Sequence, residues 1–244
     1  MTMNTAKKMM LEGKPALGAA AGLNSPLAAE TLALAGYDFV MIDDQHGLWD
    51  PSNIVAAVRS IRVACSIPMA RTQKNDFGQI GAMLDRGVLG IVVPMVNSVA
   101  DARAAAYAMR FPPRGGRSYG PYGCAIYGAD YPDWANDEVF LAVQIESKEA
   151  AQDVEAIMAV DGIDGCWIGP NDLSRSMRVA MWSEPHLAAI DRTLQACKKL
   201  GKIPGIAFGD MPHLIEQGFL FVTPGDDRSP IDTVGRATLR QLRG

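Results

Sequence analysis

Polar and ionisable residues follow four apolar runs of the chain, and their types suit acid–base and metal chemistry. The four segments are DDQH (43–46), RTQ (71–73), QIE (144–146) and ND (171–172). Together they supply a histidine, an arginine, side-chain amides and several carboxylates. If the fold brings the ends of these runs together, the segments form one site with enough groups to bind and activate a small acid.

Two of the carboxylates, Glu146 and Asp172, indicate a site for a hard divalent cation. Carboxylates without thiolates or clustered imidazoles favour Mg²⁺ or Mn²⁺, with Co²⁺ as a further option. Two protein ligands leave about four octahedral positions for water and substrate. A 2-oxo acid fills two of them with its carboxylate and keto oxygens, and the ion then stabilises an enolate as a Lewis acid.

The neighbouring groups complete that chemistry. Arg71 can hold a fixed positive charge beside the enolate oxygen. His46 belongs to the residue type best suited to moving a proton near neutral pH. Gly169 permits a close approach of ligand, and the Gly169-Pro170 turn aims Asp172 outward. The backbone N–H groups of Asn171 and Asp172 are candidates for binding the substrate carboxylate.

Each of these residues also has a structural explanation. Glu146 can open a helix, where an acid is favoured by the helix dipole, and Asp172 can cap the segment that follows. His46 can be an ordinary loop histidine, and Arg71 can form a structural ion pair. Their joint occurrence at the ends of apolar runs favours a site, provided that the runs are parallel strands of a barrel.

The elements that must position these residues alternate along the whole chain. Eight short apolar runs lie at 16–23, 37–43, 67–73, 90–96, 139–147, 165–169, 203–209 and 219–225, separated by segments with apolar residues at helical spacing. Runs that are apolar throughout are typical of parallel strands covered on both faces. Eight strand–helix units predict a single-domain α/β fold over residues 1–244, a (β/α)8 TIM barrel, rather than a doubly wound open sheet. The longest irregular segment, roughly 112–137, carries five aromatic residues and is expected to be an ordered, packed loop.

Composition excludes several classes of function. The net charge of −4 gives no basic surface for nucleic acid or for an anionic membrane, and no apolar stretch approaches the ~20 residues of a membrane span. Four widely spaced cysteines without a CxxC pair indicate reduced, structural thiols, and the N-terminus does not read as a signal peptide. We therefore expect a cytoplasmic protein that binds neither nucleic acid nor membrane.

The motifs resemble the HpcH/HpaI aldolase family, the divalent-metal pyruvate aldolases of the phosphoenolpyruvate/pyruvate barrel superfamily. The likeness runs nearly end to end, through AGYDFVMIDDQHG, PMARTQKND, MLDRGVLGIVVPMV, VQIES and IGPNDLS. It implies a class II aldehyde-lyase that reversibly cleaves 4-hydroxy-2-oxo acids to pyruvate, or hydroxypyruvate, and an aldehyde. It also implies a homo-oligomer, a hexamer or trimer, with exchanged C-terminal helices, for which IDTVGRATLRQLRG is the candidate segment.

The resemblance also implies roles for individual residues. His46 is the acid/base, Arg71 stabilises the enolate, and Asp85 of MLDRG raises the basicity of the histidine. Glu146 and Asp172 are the metal ligands. Substrate binding falls on a set that includes Asp172 itself, namely Gln144, Gly169, Pro170, Asn171 and Asp172.

Three departures from the family pattern concern the aldehyde and the histidine. Gln45 stands where many members have Glu, RSYGPYGCAIYG lacks a second arginine, and the segment after DLS is shorter than usual. For the aldehyde pocket, four aromatic residues are candidates, with packing as their alternative role: Trp49, Tyr119, Tyr122 and Tyr127.

Three other functions stay open on the sequence. A Schiff-base aldolase would use Lys74 or Lys148, but a reactive lysine needs desolvation or a neighbouring cation. A metal-dependent 2-oxo-acid-binding protein would keep the ligands without turnover. An oxaloacetate decarboxylase would use the same metal and Arg71 to make the same enolate.

Overall fold

The computed structural model describes residues 3–120 and 122–243 and confirms the (β/α)8 barrel. Eight parallel strands pair in chain order and close on themselves, with β1 beside β8. The strands are β1 (Ala16–Ala21), β2 (Phe39–Asp43), β3 (Ile67–Arg71), β4 (Gly90–Val93), β5 (Phe140–Ile145), β6 (Gly165–Ile168), β7 (Gly205–Ile206) and β8 (Phe221–Asp226). Each lies inside an apolar run of the sequence, or within one residue of it.

Helices cover the outside of the barrel and one of its ends. They are α1 (Thr5–Leu11), α2 (Pro26–Leu34), α3 (Pro51–Val63), α4 (Phe77–Asp85), α5 (Val99–Met109), α6 (Tyr131–Glu138), α7 (Lys148–Gln152), α8 (Val154–Met158), α9 (Pro170–Met177), α10 (Glu184–Leu200), α11 (Met211–Gln217) and α12 (Ser229–Arg243). Many start at a side-chain cap: Ser25, Asp50 and Asp76 each accept from a backbone N–H in the first turn that follows. None of these helices is long and apolar enough to span a membrane.

Alternation along the strands divides the core into two parts. One side of each strand packs against the helices, whereas the other fills the barrel with residues such as Phe39, Met69, Phe140 and Phe221. The rings of Phe39 and Phe221 stack with centroids 4.7 Å apart. Because side chains alternate with a period of two, the inward set continues to the carboxyl ends of the strands, where it becomes polar.

The opposite end of the barrel is closed by α1. Met10 packs into the barrel core, and the Asn4 amide donates to the carbonyl of Leu89 at 3.0 Å. The Lys7 ammonium donates to the carbonyl of Val139 and pairs with Asp164 at 3.2 Å. Among the described residues, α1 therefore covers the amino-terminal end of the barrel and leaves the carboxyl ends of the strands open to ligands.

The segment expected to be irregular at 112–137 is packed, as expected, but about two fifths of it is helical. A 3-10 turn covers Cys124–Tyr127, and α6 follows at Tyr131–Glu138. The rings of Tyr127, Tyr131 and Trp134 contact one another there. The sequence YPDWANDE is polar and short, so its single buried face gives too weak a periodic signal to predict a helix.

Candidate active site

A buried ion pair fixes the arginine at the end of β3. In the strand register Asp43 lies opposite Arg71, and the guanidinium donates to the Asp43 carboxylate twice, Nε to Oδ1 at 2.9 Å and an Nη to Oδ2 at 2.5 Å. The backbone N–H groups of Gln45 and His46 also donate to Oδ1 of Asp43. A bidentate pair of this kind sets the plane as well as the position of the guanidinium.

An indole ring from β6 contacts the same arginine. The guanidinium carbon of Arg71 lies 5.2 Å from the ring centroid of Trp167, within range of a cation–π contact. The indole N–H donates to the hydroxyl of Thr223 on β8 at 2.8 Å. Arg71 is thus immobilised by β2 and β6, which leaves little freedom for its charge to move.

The Glu146 carboxylate lies just past the end of β5 and is almost fully buried. One oxygen accepts from the backbone N–H of Met95 at 2.8 Å, and the other accepts from the Gln144 amide at 2.5 Å. Burial raises the pKa of Glu146 above its ordinary value, and the negative charge of Asp172 acts in the same direction. The Met95 N–H and the Arg71 charge oppose that shift. Two acids that repel each other at a polar mouth are suited to share a cation.

The turn after β6 brings the second carboxylate to this place. Gly169 precedes α9, and a Cβ atom there would lie 2.9 Å from the Gln144 amide nitrogen and 3.2 Å from Glu146 Oε2. Only a glycine allows β6 to pass so close to β5. Asn171 and Asp172 follow in the first turn of α9, where backbone N–H groups lack helical partners and favour an anion.

These groups surround one cavity of about 560 Å³ at the mouth of the barrel. Its lining includes His46, Arg71, Gln144, Gly169, Asn171 and Asp172, so six of the predicted site residues share one space. The His46 side chain is exposed there, on the turn after β2. A mainly apolar groove of about 850 Å³ lies elsewhere, between α10 and α11, and its described lining contains none of the predicted site residues.

The remaining predicted site residues, Glu146, Pro170 and Asp85, are not part of the cavity lining. Glu146 borders the cavity behind Gly169, and Pro170 is buried as the first residue of α9. Asp85 ends α4 in the outer layer, and its carboxylate pairs with Arg117 at 2.9 Å. Within the described residues of one chain, Asp85 and His46 share no hydrogen bond or ion pair. The role predicted for Asp85, to raise the basicity of His46, is therefore not supported by a contact within that chain.

The four aromatic candidates for the aldehyde pocket do not line this cavity in the described chain. Trp49 is buried among core residues and donates to the carbonyl of Ala21 at 2.6 Å. Tyr127 is buried and donates to the carbonyl of Gly87. Tyr119 packs edge-on against Phe111, and Tyr122 is exposed on the surface. For Trp49, Tyr127 and Tyr119 the alternative of packing is the one observed.

Residues from β6, β8, the loop after β7 and α9 instead form the outer wall of the cavity. They are Trp167, Arg175, Phe208, Thr223, Pro224, Gly225 and Asp226. Sequence reasoning also left Asp43 without a role. The period of two was a usable signal for Asp43 and Trp167, because each continues the inward face of its strand. The loop positions carried no such signal.

The lysines of the Schiff-base alternative are both exposed. Neither Lys74 nor Lys148 belongs to the lining of the cavity. A Schiff-base nucleophile needs desolvation or a neighbouring cation, and exposed side chains at these two positions lack the desolvation. The described lining of the cavity therefore contains no lysine for a covalent Schiff base.

Comparison with known proteins identifies the family to which this barrel is similar. A family model described as HpcH/HpaI aldolase/citrate lyase matches residues 20–227. A structure of an HpcH/HpaI aldolase/citrate lyase family protein from Burkholderia cenocepacia superposes with a TM-score of 0.91 at 30% identity, covering 99% of this chain and 100% of that one.

Two curated relatives are similar over nearly the whole length. A hydroxypyruvate/pyruvate aldolase from Rhizorhabdus wittichii is 34% identical over 249 residues, 99% of each chain. A 4-hydroxy-2-oxo-heptane-1,7-dioate aldolase from Escherichia coli is 36% identical over 236 residues, 92% of this chain and 89% of that protein. Fold and relatives define a (β/α)8-barrel aldolase, an enzyme of the lyase class. The chain belongs to the HpcH/HpaI aldolase/citrate lyase family.

Proposed function

We propose that this protein is a divalent-metal-dependent aldolase that cleaves 4-hydroxy-2-oxo acids to pyruvate, or its hydroxylated analogue, and an aldehyde. The observation that carries the proposal is that Asp172, the fixed Arg71 and His46 line one cavity, while the Glu146 carboxylate packs directly behind Gly169 of the same lining. The substrates named for the two curated relatives support this substrate class.

The residues present fit a hard divalent ion. Within residues 3–120 and 122–243 no three acid, histidine or cysteine side chains gather closely enough to hold an ion alone, so a metal would take most of its ligands from substrate and water. Glu146 and Asp172 supply oxygen ligands, and the Gln144 side-chain oxygen is buried without a partner among the described residues. Such a set favours Mg²⁺ or Mn²⁺ over softer ions. When bound, the ion acts as a Lewis acid on the keto oxygen.

The residues of the chain divide the remaining work. The N–H groups of Asn171 and Asp172 at the start of α9 receive the substrate carboxylate, and the Gln144 amide orients it. Arg71 holds its charge at the keto oxygen while that oxygen becomes an enolate oxygen. His46 accepts the proton of the C4 hydroxyl as the C3–C4 bond breaks and the aldehyde leaves. A proton then returns to C3, which completes pyruvate.

Two other outcomes use the same groups. Decarboxylation of oxaloacetate needs the same enolate stabilisation by Arg71 but no proton transfer by His46. A protein that only binds a 2-oxo acid needs neither the acid/base histidine nor the rigid Asp43–Arg71 pair. The exposed His46 at the cavity therefore favours aldol cleavage over both.

The test measures pyruvate release from a panel of 4-hydroxy-2-oxo acids, with metal-stripped protein and added Mg²⁺, Mn²⁺ or Co²⁺. We expect metal to restore release, and Glu146→Gln or Asp172→Asn to abolish it, because each variant removes one charged ligand. Binding of Mn²⁺, followed by electron paramagnetic resonance, should weaken in both variants.

Glu149→Gln is the matched control, since Glu149 is an exposed acid in the first turn of α7, three residues beyond Glu146. It should bind Mn²⁺ as the wild type does. Full Mn²⁺ affinity in Glu146→Gln or Asp172→Asn would contradict the ligand assignment. Oxo-acid binding without release of pyruvate under any metal would replace the aldolase with a binding protein.

We also propose that α12 is exchanged between subunits of a homo-oligomer. None of the described residues of α12 is buried, although Ile231, Val234 and Leu242 form an apolar stripe along it. Its own barrel meanwhile exposes Leu27 and Leu34 on α2. An amphipathic helix that covers nothing in its own chain is suited to cover a neighbour.

A further inference from the structure

A cationic side chain lies in the cavity beyond the carboxylate pair. Arg175 follows Asp172 by three residues on α9, so both project from one face of the helix, about 4.5 Å apart along its axis. Both line the cavity at the mouth of the barrel. Among the described residues, the Arg175 guanidinium has no hydrogen bond or ion pair. Arg71, by contrast, is paired with Asp43 through two hydrogen bonds.

The cavity is larger than the pyruvate half of the substrate needs. Its volume is about 560 Å³, and its outer wall is made by Phe208, Thr223 and Pro224 opposite α9. A substrate held at Glu146 and Asp172 by its first two carbons must extend its C4 substituent into this remaining space. C4 and its substituent leave together as the aldehyde, so the residues of the outer part of the cavity select the aldehyde.

One acid lines the same space and opposes a bound anion. Asp226 lies at the end of β8, and its carboxylate accepts from the backbone N–H groups of Arg228 and Ser229 and from the Ser229 hydroxyl. Those three donors hold the Asp226 carboxylate to its own loop and stabilise it as an anion. No ion pair joins Asp226 to Arg175 in the described chain. Arg71 is paired with Asp43, so Arg175 is the cation of the described cavity lining that no protein carboxylate pairs with.

We propose that Arg175 is a specificity residue that selects substrates whose aldehyde half ends in an anionic group, a carboxylate in the simplest case. The inference rests on the proposed aldolase function and adds the substrate class. A guanidinium presents a planar fork of donors that matches a carboxylate, and its charge needs no compensation from the protein when the ligand supplies it. Neutral aldehydes would leave Arg175 without a partner.

The experiment compares two 4-hydroxy-2-oxo acids of equal chain length, one ending in a carboxylate and the other in a primary amide. We expect the wild type to prefer the carboxylate by about tenfold in kcat/KM, the scale of a charge-assisted hydrogen bond discounted for solvent exposure. Arg175→Gln should bring the ratio close to one, and Arg175→Glu should reverse it. The ratio of the two substrates is the readout, because general damage to the site lowers both rates.

Arg178→Gln is the matched control. Arg178 is an exposed arginine at the C-terminal end of α9, outside the cavity lining, and it makes the same change in net charge. It should keep the wild-type ratio. A carboxylate preference that survives in Arg175→Gln, or that falls equally in Arg178→Gln, would overturn the assignment.

A second measurement separates this inference from the proposed function. Exchange of the methyl hydrogens of pyruvate with D₂O reports metal-dependent enolate formation without any aldehyde. Exchange in the wild type combined with no carboxylate preference would overturn the role of Arg175 and leave the aldolase standing. Absence of both exchange and cleavage would overturn the aldolase and the inference together.

Discussion

The close packing of Gly169 against β5 decides how the carboxylate of Glu146 is presented. The Gln144 amide and the Met95 N–H hold its two oxygens, and Gly169 leaves the space beside Oε2 free. Because the carboxylate is buried and already hydrogen-bonded, it cannot adapt by rotating. The position of the Glu146 carboxylate therefore depends on the absence of a side chain at Gly169.

Replacing Gly169 with alanine tests that dependence. A Cβ atom 2.9 Å from the Gln144 nitrogen and 3.2 Å from Glu146 Oε2 must push both groups aside. We expect Mn²⁺ affinity to fall by about 10- to 100-fold, the usual effect of disturbing groups that orient a metal ligand. Isothermal titration with Mn²⁺ measures the change.

Gly81→Ala is the control for this substitution. Gly81 lies inside α4 with nothing within 4 Å of an added Cβ atom, so alanine there should leave Mn²⁺ binding unchanged and favour the helix. Equal Mn²⁺ affinities for Gly169→Ala and the wild type would show that the close approach is not needed.

Residue types and strand-end positions were enough to predict most of the cavity. His46, Arg71, Gln144, Gly169, Asn171 and Asp172 lie together as expected. Partners from distant parts of the chain could not be predicted, since no local pattern pairs Asp85 with Arg117 or aims Arg175 into the cavity. Such pairings depend on the three-dimensional path of loops, which carry little periodicity.

At the scale of elements, α9 and α10 form a support under the catalytic turn. His186, in the first turn of α10, is fully buried, and its Nδ1 accepts from the backbone N–H of Trp182 at 3.0 Å. Burial lowers the pKa of His186, and the carbonyl of Pro170 opposes this shift. The start of α9 thus rests against a histidine that the fold keeps neutral.

That arrangement predicts a pH dependence of stability. The unfolded chain binds a proton at His186 below about pH 6.5, whereas the folded chain binds it only at lower pH, so protonation favours unfolding in this window. The stabilisation is present above about pH 6.5 and is lost as the pH falls through the folded pKa. We expect His186→Gln, whose amide oxygen can still accept from Trp182, to show a smaller fall of Tm than the wild type from about pH 7.5 to pH 5.

His213→Gln is the control, because it makes the same substitution at a histidine that is exposed on α11. It should retain the wild-type slope of Tm with pH. The buried-histidine explanation fails if His186→Gln keeps that slope as well.

The elements were predictable to different degrees. The strands are continuous apolar runs, and the long helices α3, α5 and α10 have apolar residues at helical spacing, so both kinds of element could be located in the sequence. The short helices α1, α6 and α9 were not predicted as separate elements. Each has fewer than nine residues, which is about two turns and too short for a repeated apolar spacing to be recognised. Tertiary packing, as of α1 under the barrel, determines them instead.

For the whole molecule, the eightfold alternation of strands and helices was sufficient to predict the closed barrel. It was not sufficient to predict how many subunits associate. The C-terminal helix is amphipathic and exposed in the single chain. The size of the oligomer, a hexamer or a trimer, stays a prediction, as does the cytoplasmic location suggested by four unpaired cysteines. Both depend on surroundings that one chain does not contain.

If α12 is exchanged between subunits, a charge introduced on its apolar face should disturb their association, whereas a charge on its polar face should not. Val234→Asp places a charge on the apolar stripe and should dissociate the oligomer, since a buried unpaired carboxylate is strongly unfavourable. Sedimentation velocity would show a smaller species.

Thr233→Asp is the control, because Thr233 lies on the polar face of the same turn and should leave the wild-type species unchanged. A wild type that sediments as a monomer would refute the exchange, and so would Val234→Asp that sediments like the wild type.

The indole of Trp167 is part of the cavity wall, 5.2 Å from the guanidinium of Arg71 and hydrogen-bonded to Thr223. Tryptophan emission responds to the electric field across its ring, and a bound oxo acid brings negative charge to the arginine beside it. The enzyme therefore contains its own optical probe of occupancy. Ligand binding at this mouth should be visible as a change in intrinsic fluorescence, in the unmodified protein and before any bond is broken.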